Sequence, residues 1–338
     1  MKRNQIIFLL AMVLLFLVSC QKNTSDSSVN SSYSCKDYDC TESYYGNLTT
    51  SSGAAAAFAD LKQRYLNDSL IQSYCHQITH VIGRAEAKKY DSVSKAFTNG
   101  DSFCWSGYYH GVMETFVEKE DPQDIPNKIN QICADVQGKS TYSFDYYNCV
   151  HGLGHGVMYI NGNELFQALQ VCDSLNGSWE QQSCGSGVFM ENVLTDTKGH
   201  FTKYLKPDQP LYPCDASPEK YKMTCYLMQT SYMLKISNYD FSRVFELCGA
   251  VGEQYLDACY QSLGRDASGN SISDVNRTKA TCLLGKNYRQ QSNCIIGAVK
   301  DFISYHHSDV QAKQLCSALP QDLQDTCFST AMQYYKAF

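Results

Sequence analysis

The chain has 338 residues, with 28 Lys and Arg against 34 Asp and Glu, a net charge of −6, 17 cysteines and 25 tyrosines. The acidic balance, without any run of basic residues, excludes a phosphate-backbone partner, so nucleic acid is not expected. No segment beyond residue 20 approaches the roughly 18 apolar residues of a membrane span, so an integral membrane body is not expected either.

The N-terminus reads as an export signal. Lys2 and Arg3 precede an apolar run of 13 residues, Ile6 to Val18, too short to cross a bilayer and suited to a signal h-region. The run ends in Leu17-Val18-Ser19-Cys20, which resembles the lipobox of bacterial lipoproteins. That resemblance implies lipidation of Cys20, which becomes the mature N-terminus and anchors the protein to a membrane of the cell envelope. Gln21 stands where an aspartate would favour inner-membrane retention, so the resemblance leans to the outer membrane of a two-membrane cell. Loss of Lys2 and Arg3 with the signal takes the charge from −6 to −8. Residues 21–34 are rich in Ser, Asn and Thr and read as a flexible tether. The expected organisation is a signal peptide over 1–19, anchor and tether over 20–34, and a linker over 35–58 in which Cys35 and Cys40 can form a small clasp. His-rich repeats one to three follow over 59–195, and repeats four to seven over 196–338.

Fourteen cysteines fall into recurring pairs: Cys75 with Cys104, Cys133 with Cys149, Cys172 with Cys184, Cys214 with Cys225, Cys248 with Cys259, Cys282 with Cys294, and Cys316 with Cys327. From Cys214 onward the first member recurs every 34 residues, a period typical of stacked helical hairpins. Two cysteines eleven apart on one helix would sit about 16 Å apart, whereas a disulfide needs Cα atoms within about 7 Å. Each bridge must therefore straddle a turn, and Asn176-Gly177, Gly252, Gly285 and Pro320 fall between pairs. A short helix is expected to end near the first cysteine and a longer one to begin near the second. Ser237-Asn238, Ser273-Asp274 and Ser308-Asp309 are the expected helix entries. The short spacing favours bonding within a unit over bonding between units. Bridging, with no CxxC anywhere, excludes thiolate metal sites and points to an oxidising compartment.

The fold expected is all-α: about seven disulfide-braced hairpins of period near 34 forming an α-solenoid, with a closed α/α toroid as the alternative. The period and bridging resemble tetratricopeptide and Sel1-like arrays, above all the cysteine-bridged Sel1-like proteins exported by bacteria. The characteristic Gly, Ala, Tyr and Trp positions of those families are not evident here. Cys104-Trp105-Ser106-Gly107 and His155-Gly156 resemble the glycine-bearing inner helices of lanthionine-cyclase toroids. Those enzymes hold zinc through free thiolates, which an oxidised chain lacks, so that activity is not implied.

The first three units contain five of the eight histidines: His76, His80, His110, His151 and His155. His76/His80, His151/His155 and His110/Glu114 are i, i+4 pairs and project from one helical face. Random placement of eight histidines gives roughly 0.2 such His–His pairs, and two are present. Facing helices that carry such ligands are how helical bundles build metal sites, and imidazole with carboxylate suits Zn, Fe, Cu or Ni. His76, His80, His110, His151 and His155 are the candidate ligands, and Glu114 a ligand or proton acceptor. Glu118 and Glu120 suggest a solvated face for Glu114, while Glu191 can enter the same cavity. His200 and His306-His307 read as surface residues. HExxH and CxxCH are absent, Cys184-Gly185-Ser186-Gly187 is not a nucleophile elbow, and Asp266 to Asn270 lacks the turn glycine and final glutamate of a calcium loop.

Two readings follow. The first is an exported, membrane-anchored lipoprotein with a metal site, acting on an envelope substrate through metal-activated water, or without metal through acid–base work by His110, His155 or Glu114. The second is a non-enzymatic scaffold whose concave face holds a peptide, glycan or envelope protein.

Overall fold

Sixteen α-helices and no strand make up the described residues of a computed structural model, which cover 33–194, 202–271 and 274–337. The signal segment, Cys20, the tether up to residue 32 and His200 lie outside them. The chain divides at residue 35, and the helical array belongs to the second unit, Lys36–Phe338. Its long helices stack in series: α1 (Tyr38–Ser52), α3 (Ser69–Ala87), α5 (Gly107–Glu118), α7 (Phe144–Ile160), α9 (Ser178–Val193), α10 (Glu219–Ile236), α12 (Leu256–Asn270), α14 (Tyr288–His306) and α16 (Gln321–Ala337). Shorter helices pack behind them: α2 (Ala54–Tyr65), α4 (Val93–Phe97), α6 (Ile125–Ile132), α8 (Leu165–Cys172), α11 (Phe241–Cys248), α13 (Val275–Cys282) and α15 (Val310–Ala318). Between α9 and α10 the chain runs through turns over residues 202–217 in place of a short helix.

Several helices begin at side-chain caps. Asp68 accepts from the Leu70 and Ile71 amides, Ser143 from Tyr146, Asp274 from Asn276 and Arg277, and Asn287 from Gln290. At α11 the cap is Asp240, later than the expected Ser237-Asn238, because Asn238 and Tyr239 adopt left-handed backbone and extend the turn.

Seven disulfides brace the array, with Cα–Cα distances from 5.3 to 5.9 Å; Cys35 and Cys40 are also disulfide-bonded. Six bridges lie within a hairpin: Cys133 bonds Cys149, Cys172 bonds Cys184, Cys214 bonds Cys225, Cys248 bonds Cys259, Cys282 bonds Cys294, and Cys316 bonds Cys327. Each closes a loop worth about 3 kcal/mol in the chain-entropy account.

The long helix begins near the second cysteine, as expected, but three to six residues before it. Cys149 of α7, Cys184 of α9, Cys225 of α10, Cys294 of α14 and Cys327 of α16 all lie in the second turn. Cys259 closes the first turn of α12, behind the 3-10 turn Glu253–Tyr255. The reason is packing: the short helix, or the turn segment bearing Cys214 in the case of Cys225, lies against the flank of the long helix and meets it inside its end. All six of these cysteines are fully buried at that contact. Cys75–Cys104 departs from the in-unit pattern altogether. Cys75 lies on α3 and Cys104 just before α5, so this bridge joins neighbouring hairpins.

Glycines set the helix spacing around the histidines. A Cβ on Gly83 would strike the Tyr108 carbonyl, and one on Gly111 the His80 carbonyl, so α3 and α5 meet backbone to backbone. Gly154 and Gly187 do the same for α7 and α9, against the carbonyls of Cys184 and His151. Between these two tight pairs, Met113 and Val117 of α5 fill the space over Gly152 and Gly156 of α7.

The solenoid curls until late hairpins touch early ones. Ser102 donates to the Tyr305 carbonyl at 3.3 Å and accepts from His307 Nε2 at 2.6 Å. Phe103 packs on Tyr305, and Phe144 on His307. The long helices thus surround a concave cavity.

Candidate metal centre

All five candidate histidines are at most 5% exposed and meet at the junction of α3, α5, α7 and α9. Their ring contacts are continuous: His76 with His80, both with His110, and His110 with His151 and, stacked at 4.0 Å, with His155. Nitrogens of His76, His80 and His110 lie within 4.8 Å of one another, as do those of His110, His151 and His155. The cluster can therefore hold a metal ion, with His110 common to both triads.

The outer hydrogen bonds decide which nitrogens face inward. His76 Nδ1 lies 2.8 Å from the Cys104 carbonyl, which only accepts, so this nitrogen carries the proton. His80 Nδ1 donates to Glu114 Oε1 at 2.5 Å, and His155 Nδ1 to Glu191 Oε2 at 2.6 Å. Ser186 spends its hydroxyl hydrogen on the Ser183 carbonyl, so at 2.6 Å it accepts from His151 Nδ1. In the neutral form each of these four rings is left with a bare Nε2.

Those bare nitrogens face one another. His76 Nε2 and His80 Nε2 are 2.9 Å apart, and His151 Nε2 and His155 Nε2 are 3.2 Å apart. Two lone pairs at such distances repel unless a proton or a metal lies between them. At His76, His110 and His151 protonation is opposed, because burial, and then the neighbouring imidazoles, hold these three rings well below the ordinary histidine value. Burial lowers His155 too, against the pull of Glu191. Ligands about 2.1 Å from one metal and cis to each other are separated by about 2.9–3.4 Å, which matches both pairs. His110 Nδ1 is buried without any hydrogen-bond partner, an unmet bond that costs about 1–3 kcal/mol and that coordination would relieve.

Glu114 is 5% exposed, so the solvated face expected from Glu118 and Glu120 does not reach it; Glu118 alone of the three is exposed. Burial would raise its carboxyl, but the His80 ring and the Arg84 guanidinium, 2.8 Å from Oε2, hold it below the usual carboxylate range. It orients His80, as Glu191 orients His155, in the carboxylate–histidine arrangement that fixes tautomers in metal sites.

The approach to the cluster is strained. Cys104, Trp105 and Ser106 are consecutive left-handed residues with φ of 55°, 58° and 60°, a conformation costing about 1–2 kcal/mol each. This short stretch brings the Cys104 carbonyl to His76 and sets Trp105 in the wall of a cavity of about 460 Å³, which His110 and His151 also line. His76 and His80 border a second, small crevice, with Arg84 and Glu191.

No family model, no curated protein and no solved structure matches this chain.

The structure thus gathers all five histidines with Glu114 and Glu191. His306 is half-buried and His307 exposed, both away from the cluster, and Asp266 to Asn270 belong to α12 rather than to a loop. Sequence reasoning missed Ser186 and the Cys104 carbonyl as orienting groups. A signal for Ser186 existed: His80–Glu114, His151–Ser186 and His155–Glu191 are separated by 34, 35 and 36 residues, one repeat period.

Proposed function

We propose that this is an exported, lipid-anchored protein whose five-histidine centre binds a transition metal and acts on a ligand held in the concave cavity. The observation that carries the reading is the convergence of four bare Nε2 atoms in two close pairs, each backed by a committed Nδ1–H donor. Imidazole-only ligation, with every described cysteine in a disulfide, favours Zn, Fe, Cu or Ni over metals that prefer thiolate or all-oxygen sites. A metal here supplies Lewis acidity toward water or a substrate oxygen. Because His110 and His151 border the cavity, a ligand can reach the centre from that side, as a catalytic rather than a closed structural site requires. The lipobox at Cys20 and the dense disulfides support an envelope location, outer membrane in a two-membrane cell.

Cobalt titration tests the reading. Co(II) added to metal-free protein should give d–d absorption that saturates at a stoichiometric amount and is abolished in His76→Ala/His151→Ala. A featureless spectrum in the parent would leave the second reading, a non-enzymatic scaffold for a peptide, glycan or envelope protein. The aromatic lining of the cavity is the observation that favours it.

A further inference from the structure

The cavity beside the histidines differs in character from the rest of the chain. Trp105, Tyr142, Tyr147, Trp179 and Tyr334 give it flat aromatic walls, and Asn148, Gln261 and Ser262 add neutral hydrogen-bonding groups. Trp179 is stacked on Tyr142 at 4.3 Å, which fixes a rigid platform. Against a chain charge of −6, the cavity wall carries the cations Arg265 and Lys300. Arg265 is fully engaged by Asp266, Ser231 and the Leu227 carbonyl. Lys300 has three ammonium donors and, among the described residues, one hydrogen-bond partner, the neutral amide of Gln261 at 3.0 Å. It is half-buried, so its charge is partly desolvated without a counter-ion. Asp301 does not supply one: its carboxylate is turned to Ser268 and the Trp105 indole.

We infer that this cavity binds an acidic saccharide, with a sugar ring stacked on the Trp179–Tyr142 platform and its carboxylate or phosphate on Lys300. Aromatic faces suit the apolar C–H face of a pyranose, the amide and hydroxyl side chains suit its hydroxyls, and an anion completes the hydrogen bonding of Lys300. The inference rests on the metal-centre reading only in placing the reactive end of the ligand toward His110 and His151; binding itself needs no metal.

The chain provides its own probe, since its two tryptophans, Trp105 and Trp179, both line this cavity. Tryptophan emission of the metal-free mature protein should be titrated with trigalacturonic acid, N-acetylglucosamine 6-phosphate, neutral maltotriose and a tri-glutamate peptide. The expected result is a saturable emission change with one or both acidic sugars, which tells carboxylate from phosphate. Lys300→Gln should weaken it by about tenfold or more, while Lys300→Arg with unchanged circular dichroism retains it. Trp179→Phe should remove most of the signal. Equal affinity for maltotriose, tighter binding of the peptide, or no saturable change with either acidic sugar would overturn the inference. If metal uptake persists in that last case, the saccharide assignment fails and the metal centre stands.

Discussion

His76 Nε2 lies 2.9 Å from His80 Nε2, although the other nitrogen of each ring is already committed as a donor. The His151–His155 pair repeats this close approach two long helices further along. His110, on the helix between, has a buried nitrogen with no partner. Together these features give a buried cluster that could hold a metal ion.

The orienting carboxylates are separable from the ligands. Glu114→Gln and Glu191→Gln should each lower metal affinity by about 10–100-fold while leaving helicity intact, as expected for groups that hold a ligand's tautomer. Competition with a chromophoric chelator would read the change. Unaltered affinity in both variants would remove the two carboxylates from the site.

Helix spacing makes a contrasting pair of predictions. Gly111→Ala places a methyl against the His80 carbonyl and should cost at least about 2 kcal/mol in urea unfolding, with loss of metal binding. Gly46→Ala, in α1, meets nothing nearer than 3.6 Å and should be neutral or stabilising by about 0.5–1 kcal/mol. Similar costs at both positions would contradict the close approach of α3 and α5.

The i, i+4 histidine pairs are legible in the sequence because helical period is a local property that needs no tertiary information. The same holds for the short disulfide loops, such as Cys214 to Cys225 and Cys316 to Cys327, where eleven residues leave only a turn to bridge. Where along the long helix the second cysteine falls is not legible, because it depends on how the two helices of a hairpin overlap. Ser186 is less legible than the histidines, because its contact with His151 depends on hairpin register; a carboxylate or hydroxyl one period beyond a histidine becomes meaningful only once the long helices are known to be neighbours. The Cys104 carbonyl is not legible at all. It reaches His76 through three left-handed residues, of which none is glycine, and such a path violates local preference. Glu114 misleads because the adjacent acids imply a shared solvated face, whereas Glu118, four residues on, turns outward as the helix leaves the junction.

Asp301 gives a pH signature away from the histidines. Burial pushes its carboxyl up to about 7, with hydrogen bonds from Ser268 and Trp105 opposing. An acid whose folded value exceeds its unfolded value binds more protons when folded, so the contribution of Asp301 to stability falls as pH rises from about 4 to about 7 and is flat above, opposite in sign to that of the lowered histidines His76, His110, His151 and His155. Asp301→Asn should remove that slope and raise stability at neutral pH relative to the parent. Thermal unfolding of metal-free parent and variant across this range is the check, and parallel curves would refute the assignment.

The most direct test of the central claim is elemental analysis by inductively coupled plasma mass spectrometry. The mature protein would be purified oxidised and without a His-tag, alongside His76→Ala/His151→Ala. The account predicts stoichiometric transition metal in the parent, directly or after incubation with Zn, Cu, Ni or anaerobic Fe(II), and loss of that metal in the double variant at unchanged helicity. A parent that takes up none of these metals, or a double variant that retains them in full, would contradict it.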